Sequence, residues 1–143
     1  MKRARSINRS MYLNNLFSSE KLIVKRSNIH RWGVFAKKPI KKYEILEEFP
    51  YFEIPVSESN NCPSCIPYTY TLNRETNIIG MGFCGLYNHS FSPNVNYEID
   101  LVNQVMRHYA IKNIHINEEL TLDYGEENAK GFLENEKTEI NKE

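Results

Sequence analysis

The chain has 143 residues, of which 41% are hydrophobic, and its 18 lysines and arginines balance its 18 aspartates and glutamates. This length allows one compact core, and the absence of an apolar run of about eighteen residues predicts a soluble protein without a membrane span. The neutral total hides a division, because residues 1–42 carry twelve basic residues and one acidic residue, whereas residues 43–143 carry six basic and seventeen acidic residues. The basic part is compatible with nucleic acid or an acidic partner and the acidic part with a cationic peptide, although both are equally compatible with ordinary solvated surfaces.

The first half of the chain is predicted to form a basic arm followed by short strands. Residues 1–19, rich in Arg and Ser and poor in acids, are predicted as a disordered arm or a short packed helix. Three strands separated by turn residues are predicted at 22–25, Trp32–Ala36 and 44–49. Pro50 and Pro55 limit the next segment to an edge strand or a loop, and residues 56–67 are predicted as a loop or an insertion.

The second half also favours strands. Residues 68–72 and Ile78-Ile79 are predicted to form a hairpin, and residues 94–99 and 104–111 a second one. A last strand is predicted at 119–124, followed after Gly125 by a short helix and a tail over residues 127–143. The pattern predicts a mostly β (α+β) domain built from several small curled sheets.

The three cysteines favour a reducing, intracellular compartment over a disulfide framework. Cys62 and Cys65 have the spacing of metal ligands, but a closed zinc site needs four ligands and only Cys84 and four scattered histidines could complete it. A proline-containing turn with two free thiols is therefore favoured, and no metal site is predicted. Cys84 and His89 are a further alternative as a thiol nucleophile and its base, but no acidic residue is identified to orient the histidine.

Three separated segments contain the most informative residues. Residues 31–36 read Arg-Trp-Gly-Val-Phe-Ala, residues 88–94 read Asn-His-Ser-Phe-Ser-Pro-Asn, and residues 118–125 read Glu-Glu-Leu-Thr-Leu-Asp-Tyr-Gly. In this order they resemble the SET-domain family of protein lysine methyltransferases, and the resemblance covers about residues 20–126. It is closest to small stand-alone members without pre-SET and post-SET zinc modules. The resemblance implies a SET-domain β-clip with a C-terminal pseudoknot and short helices.

The resemblance also implies a role for individual residues. Tyr124 matches the catalytic tyrosine, whose hydroxyl lies beside the transferring methyl group. Contacts with the cofactor S-adenosylmethionine are implied for Trp32, Gly33, Val34, Tyr68, Asn88 and His89. The walls of the channel for the substrate lysine are implied to include Phe49, Tyr109 and Leu122. The sequence departs from the family at Arg31, which stands where the first glycine of the cofactor loop is usual.

The implied function is transfer of a methyl group from S-adenosylmethionine to a lysine side chain in a histone tail or another protein. Such a protein would work in the nucleus or the cytoplasm, and the basic arm is compatible with nucleic-acid binding without requiring it. The oligomeric state stays open, with a dimer among the alternatives. A different class of function is a SET-like binding module that keeps the fold but has weak or no catalysis, which Arg31 and Leu122 would permit.

Overall fold

The computed structural model describes residues 16–125. Most of the predicted basic arm and the whole predicted C-terminal helix and tail lie outside the described residues. Within them, no helix has the length and apolar character needed to cross a membrane. The described elements, in chain order, are β1 (Leu22–Arg26), β2 (Trp32–Ala36), β3 (Ile45–Pro55), α1 (Val56–Asn60), a 3-10 turn (Ile66–Tyr68), β4 (Thr69–Thr71), β5 (Thr76–Gly80), β6 (Asn88–His89), β7 (Val95–Asp100), β8 (Val105–Ala110) and β9 (Glu119–Leu122).

The strands form two sheets. One has the order β1-β2-β9-β6, and the other has the order β4-β5-β3-β8-β7. All of these neighbours are antiparallel except β6 and β9, which are parallel. The last strand within residues 16–125, β9, therefore lies between β2 and β6, which are far apart in the sequence. The mostly β fold class and both predicted hairpins, β4 with β5 and β7 with β8, are confirmed.

The segment after Pro50 is a strand and not a loop, because β3 continues to Pro55, and residues 51–55 pair with a strand on one side only, as an edge strand does. The strand changes partners at this proline: residues 45–50 pair with β8, and residues 51–55 pair with β5. Pro50 has no N–H to donate, but its carbonyl accepts a hydrogen bond from the Met81 N–H at 3.0 Å. A proline is thus tolerated at the junction between two ladders, and Pro55 is tolerated as the last residue of the strand.

Two smaller differences concern segments that were expected to be irregular. Residues 56–67, predicted as a loop, contain α1 and the start of the 3-10 turn. Residues 17–19, within the predicted arm, hydrogen-bond along β3: the Ser19 N–H donates to the Leu46 carbonyl at 2.8 Å, and the Glu48 N–H donates to the Phe17 carbonyl at 2.6 Å. The described domain therefore uses backbone pairing that begins before residue 20.

The expectation of two free thiols in the Cys62–Cys65 turn is also wrong. The structure joins these cysteines in a disulfide, with their Cα atoms 5.3 Å apart. The turn itself creates this proximity, since the Cys65 N–H donates a hydrogen bond to the Cys62 carbonyl at 2.8 Å. Cys84 is a free, buried cysteine.

The main hydrophobic core lies beneath the sheet that contains β9. Val34 of β2 and Leu120 of β9 are fully buried and are register partners, and both pack in one cluster with Leu46 and Tyr87. Complete burial of an aliphatic side chain of this size contributes about 1.5–3 kcal/mol. Packing in this core holds β2 and β9 side by side. The residues of the candidate site lie on these two strands or next to them.

Candidate active site

Tyr124 lies immediately after β9 and contacts the residues of β6. Its backbone N–H donates a hydrogen bond to Nδ1 of His89 at 3.1 Å, and its hydroxyl donates to the backbone carbonyl of Tyr87. The rings of His89 and Tyr124 are tilted against each other, with centroids 5.3 Å apart. The parallel pairing of β6 with β9 produces this approach, so that the candidate catalytic tyrosine and the Asn-His segment converge.

The surroundings keep the Tyr124 phenol neutral. Burial, with smaller contributions from the charge of Glu119 and from Tyr68, raises the pKa of Tyr124 from 10.0 to about 12. The phenol therefore stays protonated at every pH near neutrality. It can act as a hydrogen-bonding group, and it is not a general base under those conditions.

The carboxylate of Glu119 joins three segments of the site. It accepts a hydrogen bond from the Ser27 hydroxyl at 2.8 Å and one from the Asn88 side-chain amide at 2.8 Å. The same Asn88 amide lies 3.1 Å from the Trp32 carbonyl oxygen. The loop before β2, β6 and β9 are thus held together by one acceptor group. Neither Ser27 nor Glu119 was among the predicted site residues, although Glu119 lies within a recognised motif.

Gly33 makes the approach of that carboxylate possible. A Cβ atom at this position would lie 2.2 Å from Glu119 Oε1 and 3.2 Å from Asn88 Nδ2. The space that a side chain would need at this position is occupied by the Glu119 carboxylate. The next residue, Val34, is fully buried and pairs with Val24 on one side and Leu120 on the other.

Asn94 provides a second anchor for β9. Its side-chain amide donates to the Glu119 carbonyl at 2.8 Å and accepts from the Thr121 N–H at 2.9 Å. Asn94 is buried, so both bonds are shielded from water. The Asn94 side chain therefore hydrogen-bonds to the backbone of β9 in the way that a neighbouring strand would. The motif containing Asn94 was recognised in the sequence, but this partner is 27 residues away and gave no local signal.

The loop that leads into β2 contains a backbone conformation that favours glycine. Arg31 has φ 38°, and its carbonyl accepts a hydrogen bond from the Ser27 N–H at 3.1 Å, which closes the turn. This is the position at which the sequence departs from the glycine usual in the family. The following residue, Trp32, is about half exposed, and the Arg26 guanidinium stacks 4.3 Å from the centre of its indole ring.

Tyr68 and Phe49 pack against the glycine-rich segment before β6. The Tyr68 ring lies 3.0 Å from the place where a Gly85 Cβ would stand, and Tyr68 is near enough to Tyr124 to help raise its pKa. The Phe49 ring covers Gly82, which has φ +72° and no room for a side chain. Both aromatic residues therefore border the segment that leads to Asn88 and His89.

Two residues predicted for the substrate channel lie in different surroundings: Leu122 is the register partner of His89, whereas Tyr109 lies on β8. Leu122 is 2% exposed and belongs to the main core cluster. Alternation along β8 puts Tyr109 on the same face as Arg107 and on the face opposite His108. Burial and the nearby charge of Glu98 raise the pKa of Tyr109, which agrees with this orientation.

The geometry does not support Cys84 and His89 as a nucleophile and its base. Cys84 is 2% exposed, and the histidine within reach of its sulfur is His108, with Nδ1 at 3.9 Å. Burial raises the pKa of the Cys84 thiol, so the reactive thiolate is disfavoured.

Comparison with known proteins gives a consistent result. A family model described as the SET domain matches residues 31–125. A Schizosaccharomyces pombe protein named histone-lysine N-methyltransferase, H3 lysine-37 specific, is 29% identical over 97 residues, which cover 66% of this chain and 66% of that protein. An H3 lysine-4 specific histone-lysine N-methyltransferase of Eremothecium gossypii is 31% identical over 150 aligned residues, which cover 85% of this chain and 15% of that protein. The chain thus spans less than two thirds of the length of both relatives.

A solved structure is similar as well. The crystal structure of a candidate histone methyltransferase of Plasmodium falciparum superposes with a TM-score of 0.65 at 33% sequence identity. The superposition covers 75% of this chain and 95% of that chain. The similarity therefore extends over nearly the whole of the Plasmodium falciparum chain.

We expect Gly33→Ala to lower the free energy of unfolding by about 1–3 kcal/mol, because the new methyl group displaces the Glu119 carboxylate. Combining Gly33→Ala with Glu119→Ala should cost clearly less than the sum of the two single changes, since the colliding atoms are gone. Chemical denaturation of the four proteins measures this coupling. Additive costs would contradict the contact between Gly33 and Glu119.

We expect Arg31→Gly to leave stability unchanged or to raise it by up to about 1 kcal/mol, whereas Arg31→Val should lower it by about 1–2 kcal/mol, because a positive φ penalises a β-branched side chain. Thermal unfolding of both variants gives the comparison. The control is the same pair of substitutions, to Gly and to Val, at Arg74, which is exposed and has no positive φ. There the glycine variant should be less stable than the valine variant. Equal stability of the two Arg31 variants would rule out the strained turn.

Proposed function

Because the chain belongs to the SET-domain family, we propose that it transfers a methyl group from S-adenosylmethionine to the side-chain amine of a lysine in a protein substrate. The observation that carries this proposal is the position of Tyr124, which is tied to His89 by its N–H and to the Tyr87 carbonyl by its hydroxyl. A tyrosine held at both ends beside the Asn-His segment is suited to orienting a reacting group.

The reaction requires alignment more than acid–base strength. The lone pair of a neutral lysine amine attacks the methyl carbon in line with the carbon–sulfur bond, and the sulfur leaves with the bonding electrons. S-adenosylmethionine supplies this methyl group activated by the positive charge on its sulfur. The amine must first lose a proton, and a desolvated, positively charged environment lowers its pKa enough for that proton to leave to solvent.

Tyr124 would position the amine by hydrogen bonding. Its pKa of about 12 keeps the hydroxyl protonated, so it contributes a fixed dipole near the reacting atoms and does not remove the proton. The bond to the Tyr87 carbonyl fixes the direction in which the hydroxyl hydrogen points. This arrangement provides orientation before the substrate arrives, which is the contribution that the reaction needs.

His89 offers a polar group that fits a bound cofactor. Because its Nδ1 accepts from the Tyr124 N–H, a neutral ring carries its proton on Nε2, and that buried atom has no hydrogen-bond partner among residues 16–125. A carboxylate or carbonyl oxygen of the cofactor would satisfy it. Asn88 has a different role in this proposal, because its amide is engaged by Glu119 and the loop before β2 and so fixes that loop.

The remaining assignments follow from position. Trp32 and Gly33 would contact the cofactor through their backbone at the entrance of β2, and Tyr68 through its half-exposed ring. Val34 is proposed as a support, because its backbone is paired on both sides. Phe49 is the aromatic residue proposed for the wall of the lysine channel.

A histone tail is the substrate that the relatives favour, since two of them are named as H3-specific enzymes. The excess of acidic over basic residues from position 43 onward would also favour a lysine-rich peptide. A histone substrate would place the protein in the nucleus, within the intracellular setting that the relatives indicate. Methylation of another lysine-bearing protein is the alternative that the same assay detects.

The experiment is incubation of the full chain with labelled S-adenosylmethionine and either histone H3 or a cell extract, followed by mass-spectrometric mapping of the modified lysine. Calorimetry with S-adenosylmethionine accompanies it. Binding and transfer together support the enzyme. Binding without transfer to any protein would favour the binding module, and the absence of binding would exclude the methyltransferase.

We expect Tyr124→Phe to reduce kcat by about 100-fold, because one oriented hydroxyl near the reacting atoms is lost. The affinity for the cofactor should change little. Steady-state kinetics and calorimetry separate these effects.

The rate of both proteins should rise with pH as the substrate amine (pKa about 10.4 when free) is deprotonated, and the Phe variant should keep the same pH profile.

Tyr70→Phe is the matched control, because the Tyr70 hydroxyl also donates to a backbone carbonyl of the same segment, that of Cys84, at 2.5 Å. If both variants lose activity equally, the role of Tyr124 is structural. A pH profile that changed shape in Tyr124→Phe would show instead that the phenol itself titrates.

A further inference from the structure

Three buried side chains with different metal-binding groups meet between β3, β8 and the segment before β6. Glu47 and His108 are fully buried register partners on β3 and β8, and Cys84 is 2% exposed. They are separated by 37 and 24 residues, so no spacing in the sequence pointed to them and no metal site was predicted. None of the three belongs to the proposed methyl-transfer site.

The distances within this group suit a common metal ion. Glu47 Oε1 lies 3.6 Å from His108 Nδ1, and Cys84 Sγ lies 3.8 Å from Glu47 Oε1 and 3.9 Å from His108 Nδ1. The first of these distances is too long for a hydrogen bond. A point equidistant from the three atoms lies about 2.2 Å from each, within the range of zinc bonds to oxygen, nitrogen and sulfur.

The surroundings contain polar groups that the protein itself leaves unsatisfied. The Tyr87 hydroxyl and His108 Nε2 are buried and make no hydrogen bond of normal geometry within the described part of the chain, and the Tyr87 hydroxyl faces the Glu47 carboxylate. Tyr87 lies close to the cluster: burial, followed by the influence of Glu47 and Cys84, raises its pKa well above 10.0. An ion bound at His108 Nδ1 would leave Nε2 unpaired, but the Tyr87 hydroxyl could become one of its ligands and so be compensated.

The group is electrically compatible with a cation. Burial raises the pKa of Glu47 to about 7 and raises the pKa of the Cys84 thiol, and burial lowers the pKa of His108 to about 3. A divalent ion would reverse the shifts at the two acids, because it stabilises the carboxylate and the thiolate.

We propose that Glu47, Cys84 and His108 bind one zinc ion, with the Tyr87 hydroxyl or a water molecule in the fourth position. Thiolate, imidazole and carboxylate are the three protein ligands that zinc accepts, and together they exclude magnesium and calcium, which require oxygen ligands. The complete burial of the ligands indicates a structural ion.

Such an ion would stabilise the segment that supports Tyr124 in the candidate active site. The Tyr87 ring stacks on His108, with centroids 4.9 Å apart, and the Tyr87 carbonyl accepts the hydroxyl of Tyr124. The Cys84 carbonyl accepts the hydroxyl of Tyr70. One ion would therefore fix the segment that orients two tyrosines without touching substrate or cofactor.

The test is a cobalt titration of the full chain after removal of bound metal. We expect one equivalent of cobalt, a thiolate-to-cobalt charge-transfer absorption, and displacement of the cobalt by zinc. A Cys62→Ser, Cys65→Ser variant should behave identically, which separates this site from the other two cysteines. No methyl donor is present, so the result is independent of the proposed methyl transfer.

Two ligand variants complete the test in the Cys62→Ser, Cys65→Ser background. Cys84→Ser should lose the charge-transfer band, and Glu47→Gln should weaken cobalt binding at least 10-fold, with folding checked by circular dichroism. Folded protein that takes up no cobalt would overturn the proposal, whether or not the variants fold. A spectrum that survives Cys84→Ser, or one that disappears only when Cys62 and Cys65 are replaced, would overturn it as well.

Discussion

The carboxylate of Glu119 is the group on which the arrangement of the site depends. It accepts hydrogen bonds from Ser27 and Asn88 and occupies the space above Gly33, so it fixes the distance between three segments that are far apart in the chain. Hydrogen bonds to a charged group contribute about 1.5–3 kcal/mol each. Two such bonds are a large part of the 5–15 kcal/mol that stabilises a typical domain. The network is therefore both an energetic and a geometric constraint.

The strand that carries this carboxylate determines where the candidate catalytic residue lies. Because β9 lies between β2 and β6, the two residues after it emerge beside His89, and the Asn94 side chain fixes β9 through bonds to Glu119 and Thr121. Tyr124 then completes the site with bonds to His89 and Tyr87. Side chains near the start, middle and end of the described domain must all be in place before the phenol has a defined direction.

Local sequence patterns predicted the parts of the fold that depend on neighbours. Alternation and turn residues were sufficient for both hairpins, whereas the convergence of Tyr124 with the Asn-His segment was implied by the resemblance to the SET-domain family. Features that depend on distant partners could not be obtained in this way. Pro50 is tolerated because β3 changes partners there, and Ser27 is joined to the site through a carboxylate 92 residues away. A single sequence contains no record of such pairings.

The most direct test of this account is nuclear magnetic resonance of the His89 imidazole in the nitrogen-15-labelled protein. We expect Nδ1 to be unprotonated and to show a coupling across the hydrogen bond to the Tyr124 amide proton, and we expect Glu119→Gln to weaken or abolish that coupling. A protonated Nδ1 in the wild-type protein, or a coupling that is unchanged when Glu119 is replaced, would contradict the claim that the Glu119 network positions Tyr124, the candidate catalytic residue.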